Sequence, residues 1–436
     1  MFQRYFLEPY RFVAPYRGKF WCGVAMHVMP LHLRQKMGVH ECHFQGVEHL
    51  QDSIDRKAGV LLAANHVRWA DPLVVGTLGK QIKQYLYYVV SYHLFKQKRV
   101  IGWWINRIGG YSILREGADR EAIRVTAALL AEGERPVVLF PEGTWFRQND
   151  RVGPLQDGLG LIVRQATKAS DRPMVVHPVG IKYWLLGDPL PELRRRVEEL
   201  ERGLGWRPKG DLGLPQRITH VGHALLTVKE IERFGQAQQG TLDERIQRLA
   251  AVLIADMEKF YLGKEYEGWN LERVRRLRMW LVRKLGEVRD DPEAGVATRE
   301  ALDVLLFCEN LSAQSHEYLM ERPSLERMAE TVQRIEETMV DRDEKPIAPL
   351  GASVAVGPAI DVRAFSGGRR AARTGGDPLM EQVAAGMKGL LKQLLDQGPP
   401  AEWGCPAPVE NLAGANGTAA AVSAPLSPAS GERGRG

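Results

Sequence analysis

The chain has few cysteines and no long hydrophobic run. Four cysteines occur in 436 residues, and none stands in a Cys-x-x-Cys pair. We therefore expect neither a disulfide framework nor a cysteine-based zinc site, and a reducing compartment is the simplest setting. The longest uncharged stretch near the start covers 14 residues, 20–33, and is interrupted by Pro30. A spanning helix needs about 20 apolar residues. With no signal-peptide pattern at the start, the sequence predicts a cytoplasmic protein.

The overall composition is that of a chain that buries a core. Hydrophobic residues make up 44% and charged residues 26%, which excludes a wholly disordered or collagenous protein. The length fits one large domain or two modest ones.

Positive charge is concentrated in two segments. Residues 1–40 hold six Lys/Arg against one Glu, and residues 271–290 hold seven Lys/Arg against three acids, within a net charge of +6. Eight aromatic residues lie within the first 21. Aromatic and basic side chains together suit a membrane headgroup layer or single-stranded nucleic acid, and an arm packed on the domain is the third possibility. Segment 271–290 is either a second membrane contact or a solvated helix face.

The order of apolar runs predicts the fold class. Short, partly β-branched runs alternate with helical patterns at 94–107, 117–133 and 156–170. This alternation predicts an α/β protein with a mixed, largely parallel sheet flanked by helices. The predicted strands are 60–65, 85–91, 111–115, 137–143, 174–183 and 218–226.

Beyond residue 226 the pattern becomes helical. Thr241 and Glu244 form a capping-box sequence, and an apolar stripe follows over 271–288. Further helices are predicted over 296–320 and 324–340, and 347–362 returns to a strand pattern that could rejoin the sheet. The predicted divisions are an arm (1–40), an α/β domain (41–230), a helical region (231–345), a closing strand (346–365) and a mostly disordered tail with one helix (366–436).

Four short motifs carry candidate chemistry. Asn65-His66 follows the apolar run 60–64, and Asp71 stands five residues after His66. A histidine at a strand end can act as a base near neutral pH, and a carboxylate can hold its other ring nitrogen. Asp71-Pro72 alone is also typical of a helix N-cap.

The other three motifs are less specific when taken singly. Phe140-Pro141-Glu142-Gly143-Thr144 predicts a tight turn that presents Glu142 outward, or an ordinary strand-to-loop turn. The pair Gly109-Gly110 would let the backbone approach a ligand, and Arg115 could contact a phosphate. In the run 176–180, the embedded Pro178 indicates an edge or irregular strand.

Together and in this order, the motifs resemble the glycerolipid acyltransferase family, which acylates 1-acylglycerol-3-phosphate and related acceptors. That family has an Asn-His-x4-Asp block, a Gly-rich block ending in Arg, a Phe-Pro-Glu-Gly-Thr block and a Val-x-Pro-Val block. The resemblance covers about residues 40–226, with 357–362 similar to the family's closing strand.

The resemblance implies a role for each matching residue. His66 would be the general base and Asp71 its partner. The substrate-binding residues would be Asn65, Gly110, Arg115, Glu142, Gly143, Thr144 and Arg147. An acyl-CoA or acyl carrier protein thioester would be the acyl donor, with no cofactor and no metal.

One departure concerns the head group of the acceptor. Members of the family often continue Gly-Thr with Arg-Ser, whereas this chain has Trp145 at that position and Arg147 two residues later. The interpretation is an O-acyltransferase at the cytoplasmic membrane face, acting on a lysophospholipid. The alternatives are another lyso-lipid acceptor, such as a lyso-ornithine lipid or glycolipid, and a silent lipid-binding protein. No nucleic-acid partner is expected, since no binding motif is present.

Overall fold

The strands form a single sheet. The computed structural model describes residues 10–406, except 116, 118, 145–147, 209, 211, 289–290, 341–345 and 366–376. The sheet of these residues has eight strands. They are β1 (Val39–Gln45), β2 (Gly59–Ala64), β3 (Tyr87–Ser91), β4 (Gly110–Ile113), β5 (Val137–Leu139), β6 (Met174–Leu185), β7 (Leu350–Val356) and β8 (Ile360–Asp361).

The predicted mixed, largely parallel sheet is confirmed. The strand order is β1-β7-β6-β2-β5-β3-β4, with β8 also paired to β6. Strands β6, β2, β5, β3 and β4 run parallel. Strand β7 is antiparallel to β6 and parallel to β1. The carboxyl ends of the five parallel strands therefore point to one edge of the sheet, where α/β folds place their sites.

Helices cover both faces of the sheet and fill a long insertion between β6 and β7. They are α1 (Phe20–Lys36), α2 (Val47–Asp55), α3 (Asp71–Gln81), α4 (Tyr92–Gln97), α5 (Arg99–Arg107), α6 (Arg120–Glu132), α7 (Gly158–Ala169), α8 (Leu190–Gly203), α9 (Leu214–Phe234), α10 (Leu242–Leu262), α11 (Asn270–Glu287), α12 (Pro292–Ser312), α13 (His316–Glu321), α14 (Leu325–Val340) and α15 (Pro378–Gln397). None of these helices is long and apolar enough to cross a bilayer.

The alternation of side chains in β2 divides the core into two layers. Val60 and Leu62 pack on one face with helices α1, α3, α8, α9 and α14. Leu61 and Ala63 pack on the other face with α6, α7 and α15. Both faces of β2 are buried, as a central parallel strand requires.

The insertion consists of α8 to α14 and has a core of its own. Helices α10, α11 and α12 bury a third apolar cluster that includes Val274, Leu277 and Leu281 of the predicted stripe. The Thr241–Glu244 capping box is present at the start of α10. After the insertion, β7 enters the sheet between β1 and β6.

The strand predicted over 218–226 is wrong, because these residues lie within α9. Ile218, Val221 and Leu226 are buried at helical spacing, and Gly235 ends the helix in a left-handed conformation. The prediction failed because the apolar run is short, and a short run in a buried helix has a composition similar to that of a strand. The helical region therefore begins at Leu190 rather than at 231.

Pro178 lies in a central strand, not at an edge. Strand β6 pairs with β2 on one side, and with β8 and then β7 on the other. The pairing with β8 ends at Val176 and the pairing with β7 begins at Val179. Pro178 therefore stands where one partner strand gives way to the next, and its missing N–H interrupts no ladder there.

Two terminal segments pack on the sheet. Residues of the arm lie along β4, where Val13 and Ser112 exchange hydrogen bonds of 2.8 and 3.1 Å. This favours the packed-arm interpretation for the described part of 1–40. At the other end, α15 covers β6, and Trp403 lies against Gly351 of β7. Residues 401–406 are thus ordered, contrary to the predicted disorder of 401–436, whose remainder lies outside the described residues.

Candidate active site

The candidate site lies at the carboxyl edge of the parallel strands. Strands β2 and β5 are neighbours with Ala63 opposite Leu139, so the loops that follow them leave the sheet side by side. His66 follows β2, and Glu142 follows β5. The chain also leaves β4 at this edge toward Arg115. The topology therefore brings three of the four sequence motifs together.

His66 and Asp71 form a hydrogen-bonded pair. His66 Nδ1 lies 2.8 Å from Asp71 Oδ2. The His66 side chain is 15% exposed, whereas that of Asp71 is fully buried. The imidazole stacks on the Phe140 ring, with centroids 4.4 Å apart. With Nδ1 protonated toward Asp71, Nε2 is the nitrogen that would take a proton from a substrate.

Four donors hold the Asp71 carboxylate in place. Its Oδ2 accepts hydrogen bonds from the backbone N–H of Val67 (2.6 Å) and Arg68 (2.9 Å) as well as from His66. Its Oδ1 accepts one from the Tyr183 hydroxyl at 2.5 Å. A buried carboxylate needs such partners. Helix α3 is preceded by Ala70 as its N-cap, so Asp71 bonds backward to its own loop and the N-cap interpretation is wrong.

Glu142 is buried and bonds to the backbone of the loop that carries His66. It is 2% exposed, so the prediction that its turn presents it outward is wrong. Its two carboxyl oxygens accept hydrogen bonds from the backbone N–H of His66 (2.9 Å) and Gly153 (3.1 Å). Burial raises the pKa of Glu142 to about 8, and Asp71 acts in the same direction, while the two backbone donors oppose the change. The buried Glu142 carboxyl group thus links the backbone of the His66 loop to that of Gly153.

Asn65 and Gly110 make close contacts with other parts of the protein. Both ends of the buried Asn65 amide bond to the backbone of Ile181, at 3.0 and 2.7 Å. This ties β2 to β6 directly beneath His66. At Gly110, an added Cβ would lie 2.6 Å from both the Ile105 backbone and its side chain. The absence of a side chain at Gly110 therefore permits the close packing of α5 on β4, and its predicted ligand role stays a prediction.

Gly143 and Thr144 lie in the loop after β5, and Arg115, which follows β4, contacts that loop. Gly143 has φ +69°, a left-handed conformation that favours glycine. Its carbonyl accepts a hydrogen bond of 3.2 Å from Arg115 Nη1. Thr144 Oγ1 donates to Glu309 Oε1 at 3.0 Å. The substrate residue predicted at Arg147 lies outside the described residues.

Sequence reasoning missed the residues that reach the site from other elements. Tyr183 comes from the end of β6, and Arg275, Arg278 and Glu309 come from the insertion. His93, at the carboxyl end of β3, also faces this region. Its pKa is lowered to about 3 by burial, with further lowering by Arg115 and Arg278. The sequence shows that 271–290 is rich in arginine, but it does not show which of these side chains face the site.

The loop amides constrain the chemistry that is possible here. The N–H groups of residues 66, 67 and 68 all bond to carboxyl groups, so the donors to a reaction oxyanion must be other groups. No group of three or more metal-binding side chains occurs in the part of the chain that the structure describes. A histidine held by a buried carboxylate at the carboxyl edge of an α/β sheet is an arrangement that suits proton transfer.

Comparison with known proteins identifies a family match within part of the chain. Residues 42–182 match the family model described as Acyltransferase. A segment of 106 residues is 32% identical to the 1-acyl-sn-glycerol-3-phosphate acyltransferase of Streptococcus pneumoniae (strain ATCC BAA-255 / R6). The match covers 24% of this chain and 37% of that protein, so the chain spans little more than a third of the length of this curated relative. The match to the family model ends within β6, before the insertion begins.

Proposed function

We propose that the protein transfers a fatty acyl group from a thioester to the hydroxyl of a lysophospholipid such as 1-acylglycerol-3-phosphate. The observation that carries the proposal is the His66–Asp71 pair, 2.8 Å apart at the carboxyl edge of the sheet, within the acyltransferase segment. The named relative acts on the same class of acceptor. Either acyl-CoA or an acylated carrier protein would serve as donor, and the reaction needs no cofactor.

The proposed reaction has one chemical transfer and one proton relay. His66 Nε2 removes the proton of the acceptor hydroxyl as its oxygen attacks the thioester carbonyl. The tetrahedral intermediate collapses, the C–S bond breaks, and the thiolate leaves. The imidazolium returns its proton to the sulfur. Asp71, with its four donors, holds the tautomer and stabilises the imidazolium.

The alternatives concern the acceptor and the catalytic competence. A lyso-ornithine lipid or a glycolipid would use the same base with a different head-group site. A silent lipid-binding protein is disfavoured, because it would have no need of a buried carboxylate with four donors beside a histidine.

The experiment that tests the proposal is product analysis by mass spectrometry. A panel of lyso-acceptors is offered with acyl-CoA and with acyl carrier protein thioesters, using the full chain and His66→Ala. We expect an acylated lysophospholipid from the wild type and a loss of at least about 10²–10⁴-fold in the variant, the usual contribution of a general base. Near-normal turnover by folded His66→Ala would refute the mechanism.

We also propose that the enzyme docks on an anionic membrane surface through an aromatic patch. The patch comprises Phe20 and Trp21 of α1 with Trp103 and Trp104 of α5. The rings of Trp21, Trp103 and Trp104 lie 4.9–5.6 Å apart. Phe20 is 70% exposed, Trp103 39% and Trp104 37%. Clustered, half-exposed tryptophans are typical of the layer between water and lipid.

Basic residues flank the aromatic patch in the sequence, and one of them contacts it. Lys19 precedes Phe20, and the exposed Lys98 and Arg99 begin α5. The guanidinium of Arg107 lies over the rings of Tyr16 and Trp103, at 4.5 and 5.5 Å. Helices α4 and α5 connect the carboxyl end of β3, beside the site, to the amino end of β4. This charge complements anionic headgroups, which favours a bilayer as the occupant.

The second basic segment is a weaker candidate for membrane contact. Within 271–290, Arg273 is buried against Glu258 at 2.7 Å. Arg275 bonds a backbone carbonyl of the site loop, and Arg278 pairs with Glu309. These side chains face inward, so the membrane contact expected for 271–290 does not apply to them.

Vesicle co-sedimentation tests the docking. Trp103→Ala/Trp104→Ala should weaken binding to vesicles containing anionic phospholipid, because apolar insertion is lost, while salt should weaken binding of the wild type only in part. Phe260→Ala is the matched control, since Phe260 is 80% exposed but lies on α10. Equal binding by the double variant, or equal loss in the control, would contradict the docking surface.

A further inference from the structure

The insertion supplies two arginines to a charged cluster against the loop after β5. We use "arginine cluster" for Arg115, Arg275, Arg278 and Glu309. Three consecutive loop residues contact it. Arg275 Nη2 donates to the carbonyl of Glu142 (3.1 Å), and Arg115 Nη1 donates to that of Gly143 (3.2 Å). Thr144 donates to Glu309, which also pairs with Arg278.

The cluster contains more cationic than anionic groups. The Glu309 carboxylate acts on all three guanidinium groups, and its pKa is lowered by Arg278 and Arg115 despite burial. The pKa of Arg275 is lowered chiefly by burial, with Arg278 and Arg115 adding to the effect and Glu309 and the exposed Glu272 opposing it. Mutually repelling, half-buried guanidinium groups are the arrangement that a bound anion relieves, and Arg binds phosphate with paired donors.

The cluster lies next to the proposed base. Glu142 bonds to both the cluster and the loop of the proposed base. Its carbonyl accepts a hydrogen bond from Arg275, and its carboxyl group accepts one from the backbone N–H of His66. In a 1-acylglycerol-3-phosphate, the reacting hydroxyl and the phosphate are on neighbouring carbon atoms. A phosphate site for that acceptor must therefore lie beside the base, as this cluster does.

From these contacts we infer that Arg275 and Arg278 of the insertion, together with Arg115, bind the phosphate monoester of the acceptor head group. The inference rests on the proposed function and deepens it. Glu309 holds Arg278 and Thr144 in position and limits the repulsion among the arginines when no anion is bound. The insertion is thus part of the substrate site, although the match to the family ends before it.

Arg275→Ala is the primary test, because the hydrogen bond identified for Arg275 goes to a backbone carbonyl and folding depends little on it. We expect the KM for 1-acylglycerol-3-phosphate to rise about tenfold or more, with the KM for the thioester nearly unchanged. Arg275→Lys should recover part of the loss, because a point charge replaces a planar fork. Arg283→Ala is the matched control, because Arg283 lies on the same helix, is 83% exposed and pairs with Glu287.

Arg278 needs a paired change, because removing it alone would leave Glu309 buried without its partner. Arg278→Gln/Glu309→Gln removes both charges at once, and circular dichroism checks that the variant is folded. This variant should also raise the acceptor KM while leaving the thioester KM in place. An unchanged acceptor KM in this variant and in Arg275→Ala would overturn the inference.

Two further substrates identify which molecule supplies the phosphate that the cluster binds. Monoacylglycerol lacks the phosphate, and Arg275→Ala should acylate it as well as the wild type does. Dephospho-CoA thioesters test the donor, and an Arg275→Ala defect that disappears with them would assign the cluster to coenzyme A and overturn the inference.

Binding without a thioester separates this inference from the proposed function. Titration calorimetry with a short-chain 1-acylglycerol-3-phosphate should show binding by the wild type that Arg275→Ala weakens. Such binding in a protein that turns over no acceptor would refute the proposed function and support the phosphate site. Acceptor turnover that is identical in wild type and Arg275→Ala would support the proposed function and refute the phosphate site.

Discussion

The hydrogen bond from Tyr183 to Asp71 gives the sharpest test of how the base is held. Tyr183→Phe removes one hydroxyl and keeps the ring, so the packing of β6 against its neighbours is retained. Asp71 then loses one of four donors while remaining fully buried. Hydrogen bonds to charged groups contribute about 1.5–3 kcal/mol, so the free energy of unfolding should fall by about that amount. The catalytic effect should be smaller than that of losing Asp71, because the three donors on Oδ2 remain.

A double-mutant cycle isolates the bond from other effects of the substitution. The free energy of unfolding is measured by urea titration for the wild type, Tyr183→Phe, Asp71→Asn and the double variant. If the charged bond is the cause, the effect of Tyr183→Phe should shrink by 1 kcal/mol or more in the Asp71→Asn background, an estimate from the difference between charged and neutral hydrogen bonds. Additivity within about 0.5 kcal/mol would refute the reasoning.

Tyr87 provides a matched control for the loss of a hydroxyl. Its side chain is buried, and its hydroxyl has no hydrogen-bond partner among the described residues. Tyr87→Phe should therefore change the free energy of unfolding by less than about 0.5 kcal/mol or increase it, since a buried hydroxyl without a partner costs free energy. A loss as large as that of Tyr183→Phe would mean that the assay reports ring packing, not the bond to Asp71.

Two further predictions concern the carboxyls of the site. Burial raises the pKa of Glu142 to about 8 from an ordinary 4.5, so between those pH values the native chain holds a proton that the unfolded chain has released. The stability of the wild type relative to Glu142→Gln should therefore fall as pH rises through that window, by up to about 1.4 kcal/mol per unit. A difference in unfolding free energy that stays constant from pH 5 to 8 would contradict this. Asp71→Asn should lower kcat by at least about a hundredfold, because the amide favours the wrong tautomer of His66. Steady-state turnover of the folded variant within tenfold of the wild type would argue against that role.

The positions of the motifs were predictable, whereas the orientations of their side chains were not. Apolar runs mark β2 and β5, and parallel neighbours end at one edge, so a shared location for His66 and Glu142 follows from the sequence. Whether Glu142 points outward depends on the N–H groups of His66, in the loop after β2, and of Gly153, eleven residues further along its own loop. A turn sequence specifies its own backbone and not the donors that tertiary packing brings to it.

The glycines show the same limit. A pair such as Gly109-Gly110 signals that something approaches the backbone closely, but the sequence does not say what. Here the approach comes from the Leu86 carbonyl at Gly109 and from Ile105 at Gly110, which are parts of the protein itself. Only the positive φ of Gly143, in the loop after β5, belongs to the site.

The anchoring of the insertion explains how distant helices supply residues to the site with fixed geometry. It leaves the sheet after Leu185 and returns at Leu350, and these two residues pair directly between β6 and β7. Buried ion pairs add to this anchor. Asp150 lies between Lys182 of β6 (2.6 Å) and Arg327 of α14 (2.7 Å). Both ends of the insertion are thus joined to the sheet, and α11 and α12 also contact the loop after β5 through Arg275 and Glu309. Sequence periodicity shows which face of α11 is apolar, but the contacts of Arg275 with the loop after β5 and of Arg278 with Glu309 follow from tertiary packing.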